Sequence, residues 1–132
     1  MTQIVDASVV IALTQEGAEA LSERFWGNEL HAPELLLPEV ANSLRRQMQR
    51  HEIGASAADG WFTWLRTFDA ISLHGHRDLA KRIWELRHNF TPYDASYVAL
   101  AEQLGGTLHT LDRRLARAAE ALGTCGVVIP EA

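Results

Sequence analysis

Five short apolar runs, separated by stretches of helical spacing, constrain this chain more than any other feature. They are Ile4-Val5, Leu30-His31-Ala32-Pro33, "AISL" (residues 70–73), "TLHTL" (residues 107–111) and "GVVIP" (residues 126–130). Helical periodicity falls between them: Ala18, Leu21 and Phe25; then Leu36, Val40, Leu44 and Met48; then Leu79, Ile83 and Leu86. Ser56 is placed to cap a helix over "SAADGWFTWLRTFD", Thr91-Pro92 opens another that Gly105 closes, and Gly123 ends the last. Pro33 and Pro38 leave the start of the second long helix open. Short apolar strands alternating with helices imply right-handed crossovers and a parallel sheet buried on both faces. The expected fold is therefore α/β, a three-layer α/β/α sandwich with a central parallel sheet. Residues 1–132 are read as one domain.

Composition narrows the function. No apolar run approaches the ~20 residues needed to span a bilayer, and the N-terminus lacks the basic leader of a signal peptide, so no membrane association is expected. The single cysteine, Cys125, offers neither an internal disulfide nor a CxxC metal site, which fits a cytoplasmic location. A net charge of −5 speaks against non-specific nucleic-acid binding. Any nucleic-acid chemistry must rest on a local patch or on metal ions.

Parallel sheets bind ligands beyond the carboxyl ends of their strands. Asp6 ends the first apolar run and Asp112 follows "TLHTL", so both are expected at that rim. Glu39, early in the helix after the second strand, can approach it too. Asp94 sits in the first turn of the helix that feeds the fourth strand; on this reading that places it at the opposite rim unless the helix start bends across the top. Each acid also has an ordinary reading. Thr91-x-x-Asp94 resembles a capping box, Asp112 can cap the next helix, Asp6 can form an Asx turn, and Glu39 can be a solvated helix residue. The joint pattern is harder to dismiss. Ser8 follows Asp6 by two residues and Thr110 precedes Asp112 by two, so each acid has a hydroxyl nearby to support it around a hydrated hard cation.

The segments "IVDASVVIAL", "HAPELLLPEVANSLRR", "WELRHNFTPYDASYVALAEQLGGTLHTLDRRLARA" and "VVIP" resemble, in order and over nearly the whole chain, those of a PIN domain. More narrowly, they resemble a VapC-type toxin of a prokaryotic toxin–antitoxin pair. The resemblance implies a Mg²⁺- or Mn²⁺-dependent endoribonuclease whose four acids correspond to Asp6, Glu39, Asp94 and Asp112, meeting in one pocket. It further implies cleavage of tRNA or rRNA, inhibition by a VapB-type antitoxin, and a homodimer that forms a heterotetramer or larger assembly with it. Some members carry another acid just after the last one; here Arg113 and Arg114 stand there, which puts a second metal site in question.

Phosphodiester hydrolysis needs an activated water and charge neutralisation, which divalent ions can supply. In this reading Asp6 and Asp94 bind the metal directly, Asp112 directly or through water, and Glu39 orients water or holds a second ion. Ser8 and Thr110 support them. Arg45 and Arg46 follow Glu39 on one helix, and Arg113 and Arg114 follow Asp112 on another; these are candidate RNA contacts as well as ordinary solvated residues. A receiver-type signalling domain would need a lysine after a late strand, and the only lysine is Lys81, in a mid-chain helix. A catalytically dead PIN-fold binding module and a stand-alone PIN nuclease without antitoxin stay open.

Overall fold

The computed structural model describes residues 1–17 and 19–130; Ala18, expected on a helical face, lies outside the described residues. Strand β1 (Thr2–Val5) runs through Asp6 into α1 (Ala7–Glu16), which is followed by the short α2 (Ala20–Arg24), β2 (Glu29–Pro33), α3 (Leu36–Gln49), α4 (Ala55–Thr67) and β3 (Ile71–His74). A 3₁₀ turn at Arg77–Leu79 leads into α5 (Ala80–Glu85), α6 (Pro92–Leu104), β4 (Thr107–His109), α7 (Arg113–Leu122) and β5 (Gly126–Val128).

The strands form one sheet in the order β3-β2-β1-β4-β5, every pair parallel. Neighbouring residues of β1 divide the two faces, as the pleat requires. Ile4 joins a core with Leu79, Leu86, Leu100, Leu108 and Leu115, from the side of α5, α6 and α7. Val5 joins one with Val9, Leu21, Leu36, Val40 and Leu65, from the side of α1 to α4. Helices on both faces of a parallel sheet make the expected α/β/α sandwich. Trp61, Trp64 and Phe68 pack partly buried against the second core, with the Trp64 and Phe68 rings stacked 4.7 Å apart.

The sequence order reverses at β1. The chain first moves outward through β2 and β3, then returns to add β4 and β5 on the other side. That places a topological switch point, the usual site of a ligand crevice, between the carboxyl ends of β1 and β4. Two glycines set the approach to β4. Gly105 ends α6 in the left-handed region at φ 61°. A side chain on Gly106 would put its Cβ 2.5 Å from Ile4 Cδ1 and 2.9 Å from the Thr2 carbonyl oxygen, so only glycine lets the chain pass this close to β1.

Several boundaries differ from the sequence reading. β4 stops at His109, short of Leu111. Its partner β1 ends at Val5 because Asp6 starts a helix, so Thr110 and Leu111 have no strand beside them on that side. Gly54, not Ser56, is the N-cap of α4, and it caps without a side chain; Ser56 lies inside the first turn. α3 begins at Leu36, so Pro33 ends β2 and Pro38 sits in the first helical turn, where its missing N–H has no partner to lose. α5 covers only part of its helical pattern, with Leu79 in the 3₁₀ turn and Leu86 just past the last turn.

Candidate active site

Asp6 is the N-cap of α1, with extended backbone angles, and its Oδ1 accepts the Val9 N–H at 3.1 Å. It is also nearly buried, at 6% exposure. Two hydroxyls anchor it. Ser8 Oγ donates to Oδ1 at 2.5 Å and Thr110 Oγ1 donates to Oδ2 at 2.5 Å. Each hydroxyl in turn accepts a backbone N–H of the segment after β4: Leu111 N–H on Ser8 Oγ and Asp112 N–H on Thr110 Oγ1, both at 3.0 Å. With its lone pairs taking those N–H groups, each hydroxyl turns its own proton to Asp6. The loop after β4 is thus stitched to the end of β1. Ser8 reaches Asp6 from the first turn of α1 rather than along an extended strand. Thr110 serves Asp6 across the sheet with its hydroxyl proton, and gives Asp112 only an acceptor for its backbone.

Asp112 caps α7, its Oδ1 accepting the Arg114 and Leu115 N–H groups at 3.0 and 3.2 Å. Asp94 lies in the first turn of α6, behind a Thr91 cap that accepts the Asp94 N–H at 3.1 Å. The capping roles and the shared rim coexist. Arg114 Nη2 donates to Asp94 Oδ2 at 2.9 Å and lies 3.6 Å from Asp112 Oδ2, so it bridges these two acids. Asp94 therefore belongs to the same rim as Asp112, not the opposite one. The reason is direction: a helix between two parallel strands runs back against them, so its N-terminus starts where the strands end.

Glu39, in the first turn of α3, accepts the Tyr97 hydroxyl on Oε1 at 2.5 Å. Tyr97 is 2% exposed and lies one turn beyond Asp94 on α6. The sequence reading missed it. The signal was present: a tyrosine inside the otherwise apolar run "YVALA" must find a partner for its hydroxyl.

The carboxyl groups feel one another. Burial holds the Asp6 carboxyl above the usual carboxylate range, hydrogen bonds from Ser8, Thr110 and Val9 pull it back, and the Asp112 charge raises it. Glu39 is raised by burial, lowered by the Tyr97 hydrogen bond, and raised by the charges of Asp6 and Asp94. The Tyr97 hydroxyl is pushed well up by burial and by the same carboxylates, so it stays a donor.

Arg46 is exposed and separates two open clefts. One, of about 360 Å³, reaches Ser8, Gln15 and Arg50; the other, of about 380 Å³, reaches Glu39 and Tyr93. Arg45 bonds Asn42 Oδ1 at 3.2 Å, and Arg113 is exposed at the start of α7.

The donor set is all oxygen, which suits Mg²⁺ or Mn²⁺ rather than a softer metal. Among the described residues, no three His, Cys, Asp or Glu side chains are placed to share an ion as they stand. The chemistry fits the metal, and an ion engaging Asp94 and Asp112 together would take the place of the Arg114 guanidinium.

The chain belongs to the PIN-domain family: the PIN domain matches residues 4–121. Within it, the curated relatives are VapC ribonucleases. Ribonuclease VapC9 of Mycobacterium tuberculosis (strain ATCC 25618 / H37Rv) is 41% identical over 121 residues, covering 89% of this chain and 91% of that protein. Ribonuclease VapC3 of Pyrobaculum aerophilum is 37% identical over 133 residues, covering 94% and 99%. Two solved structures share the fold. That of PAE2754 from Pyrobaculum aerophilum superposes with a TM-score of 0.74 at 23% identity, over 97% of this chain and 90% of that one. That of Mycobacterium tuberculosis VapC20, described as a sarcin-ricin loop cleaving toxin, gives 0.64 at 21% identity, over 97% and 99%.

Proposed function

We propose that residues 1–132 act as one PIN-like domain, a cytoplasmic, divalent-metal-dependent endoribonuclease toxin that cuts structured RNA and is inhibited by a VapB-type antitoxin. The observation that carries the reading is that Thr110 links Asp6 to Asp112, Arg114 links Asp112 to Asp94, and Glu39, held by Tyr97, feels the charges of Asp6 and Asp94. Asp6 and Asp94 would hold Mg²⁺ or Mn²⁺, Asp112 would hold it directly or through water, and Glu39 would orient water or hold a second ion. The metal supplies activation of the nucleophile and neutralisation of phosphoryl charge. Ser8 and Thr110 hold the two Asp6 oxygens, and Tyr97 fixes one Glu39 oxygen. Arg45, Arg46, Arg113 and Arg114 offer phosphate contacts on either side. The protein acts as a homodimer and joins the antitoxin in a heterotetramer or larger complex. Among the described residues, no helix is long and apolar enough to cross a membrane.

The test is induction of the protein, mapping of new 5′ ends in total RNA, and repetition in vitro with Mg²⁺, with Mn²⁺ and with a chelator. Discrete cuts that vanish with chelator and in both Asp6→Asn and Asp94→Asn are expected. Cuts that persist in both variants would overturn the assignment of the site.

A further inference from the structure

We propose that Arg114 is a built-in competitor for the divalent ion: its guanidinium spans Asp94 and Asp112 in the metal-free protein and has to leave before an ion can engage both. The inference rests on the metal-site reading above and goes beyond it.

Among the described residues, Arg114 is the only cationic side chain in ion-pair contact with any of the four acids. Asp6 and Glu39 are satisfied differently, by hydroxyl and backbone donors. Of the four acids, only Asp94 and Asp112 have a cationic side chain beside them. Among the described residues, no three His, Cys, Asp or Glu side chains are arranged for an ion. The contact is also built to open. The Arg114 side chain is 63% exposed, and an ion pair in water is weak enough to exchange. Its backbone N–H remains anchored on Asp112 Oδ1 at 3.0 Å, so the side chain can swing out without loss of the α7 cap. A divalent ion brings twice the charge to the same oxygens and displaces it once its concentration is high enough. Apparent metal affinity is then reduced by the fraction of molecules in which Arg114 is seated.

The experiment measures Mn²⁺ binding to the full chain by titration calorimetry, without RNA, for the wild type, Arg114→Gln, Arg114→Lys, Arg113→Gln and Asp94→Asn. Arg113 is the control: it is exposed, adjacent, of equal charge and outside the acid contacts. Arg114→Gln is expected to bind Mn²⁺ about 3- to 10-fold more tightly than wild type, from release of the seated cation and of one nearby positive charge. Arg113→Gln should change affinity by less than about twofold, because an exposed charge that makes no contact with the acids is largely screened. Arg114→Lys should fall between, since lysine keeps the charge but lacks the planar fork. Equal or weaker binding by Arg114→Gln, or an equal gain in Arg113→Gln, overturns the proposal. If Mn²⁺ binds wild type and Arg114→Gln alike and Asp94→Asn loses it, only this inference fails. If Asp94→Asn binds as wild type does, the metal-site reading fails and takes the inference with it.

Discussion

Replacing Thr110 by valine removes one hydroxyl and little else. Valine keeps the β-branched shape and volume at a position with no solvent exposure. Two interactions go. The Asp6 Oδ2 carboxylate loses a donor at 2.5 Å, and the Asp112 N–H loses its acceptor at 3.0 Å. A hydrogen bond to a charged group contributes about 1.5–3 kcal/mol, and the backbone N–H adds about 0.5–1.5 kcal/mol, so Thr110→Val should destabilise by about 2–4.5 kcal/mol. For a chain of 132 residues that corresponds to a melting temperature lower by roughly 7–16 °C. Thr110→Ser restores the hydroxyl and gives up one methyl group, about 1 kcal/mol. The loss should also depend on pH. The Thr110 bond lowers the Asp6 carboxyl against the upward push of burial, so its removal raises that group further. Stability carried by a raised carboxyl is present below the unfolded value, about 3.9, and is lost as pH rises through the folded value. The gap between Thr110→Val and wild type should therefore be small near pH ~4 and widen toward neutrality. Urea unfolding of the metal-free proteins at several pH values measures it. A valine variant as stable as the serine variant, or a gap that does not change with pH, would refute the argument.

Gly106→Ala should cost about 1–3 kcal/mol or more from its clash with Ile4 and the Thr2 carbonyl, and Gly105→Ala about 1 kcal/mol from its positive φ alone, a ranking read from thermal melts. Tyr97→Phe keeps the ring and frees Glu39; kcat on a defined RNA should fall about 10- to 100-fold, the usual effect of losing a partner that orients a metal-site carboxylate, with KM little changed, and an unaltered kcat would remove Tyr97 from the mechanism. His74 bonds His31 ring to ring at 2.8 Å and is held below the usual histidine range by burial and by His31. A lowered histidine contributes stability above its unfolded value, about 6.5, that is lost as pH falls through the folded value, so His74→Gln should flatten the decline of the urea midpoint below pH ~6.5.

The periodicity of Leu36, Val40 and Leu44 and the apolar runs around Ile4 and Leu108 carried the fold, because burial on both sheet faces leaves few other arrangements. Asp6 and Asp112 could be placed at one rim because strand ends alone decide it. Spacing alone left the rim of Asp94 open, since the direction of a crossover helix is a property of the sheet and not of the local sequence. Tyr97 meets Glu39 across α6 and α3, and Arg114 meets Asp94 across α7 and α6, so these pairings exist only after packing. Ser56 misled as a cap because Gly54 already supplies the extended angles that end the turn.

The sheet order has a consequence in time. Asp6 and Thr110 are 104 residues apart, and β1 waits for β4 while the rest of the chain is being made. A half-synthesised polypeptide carries Asp6 and Glu39 but neither Asp94 nor Asp112. It also lacks β4, the strand that pairs with β1 on the side of Thr110. The four acids can gather only after residue 112 has emerged, whatever the order in which the strands form.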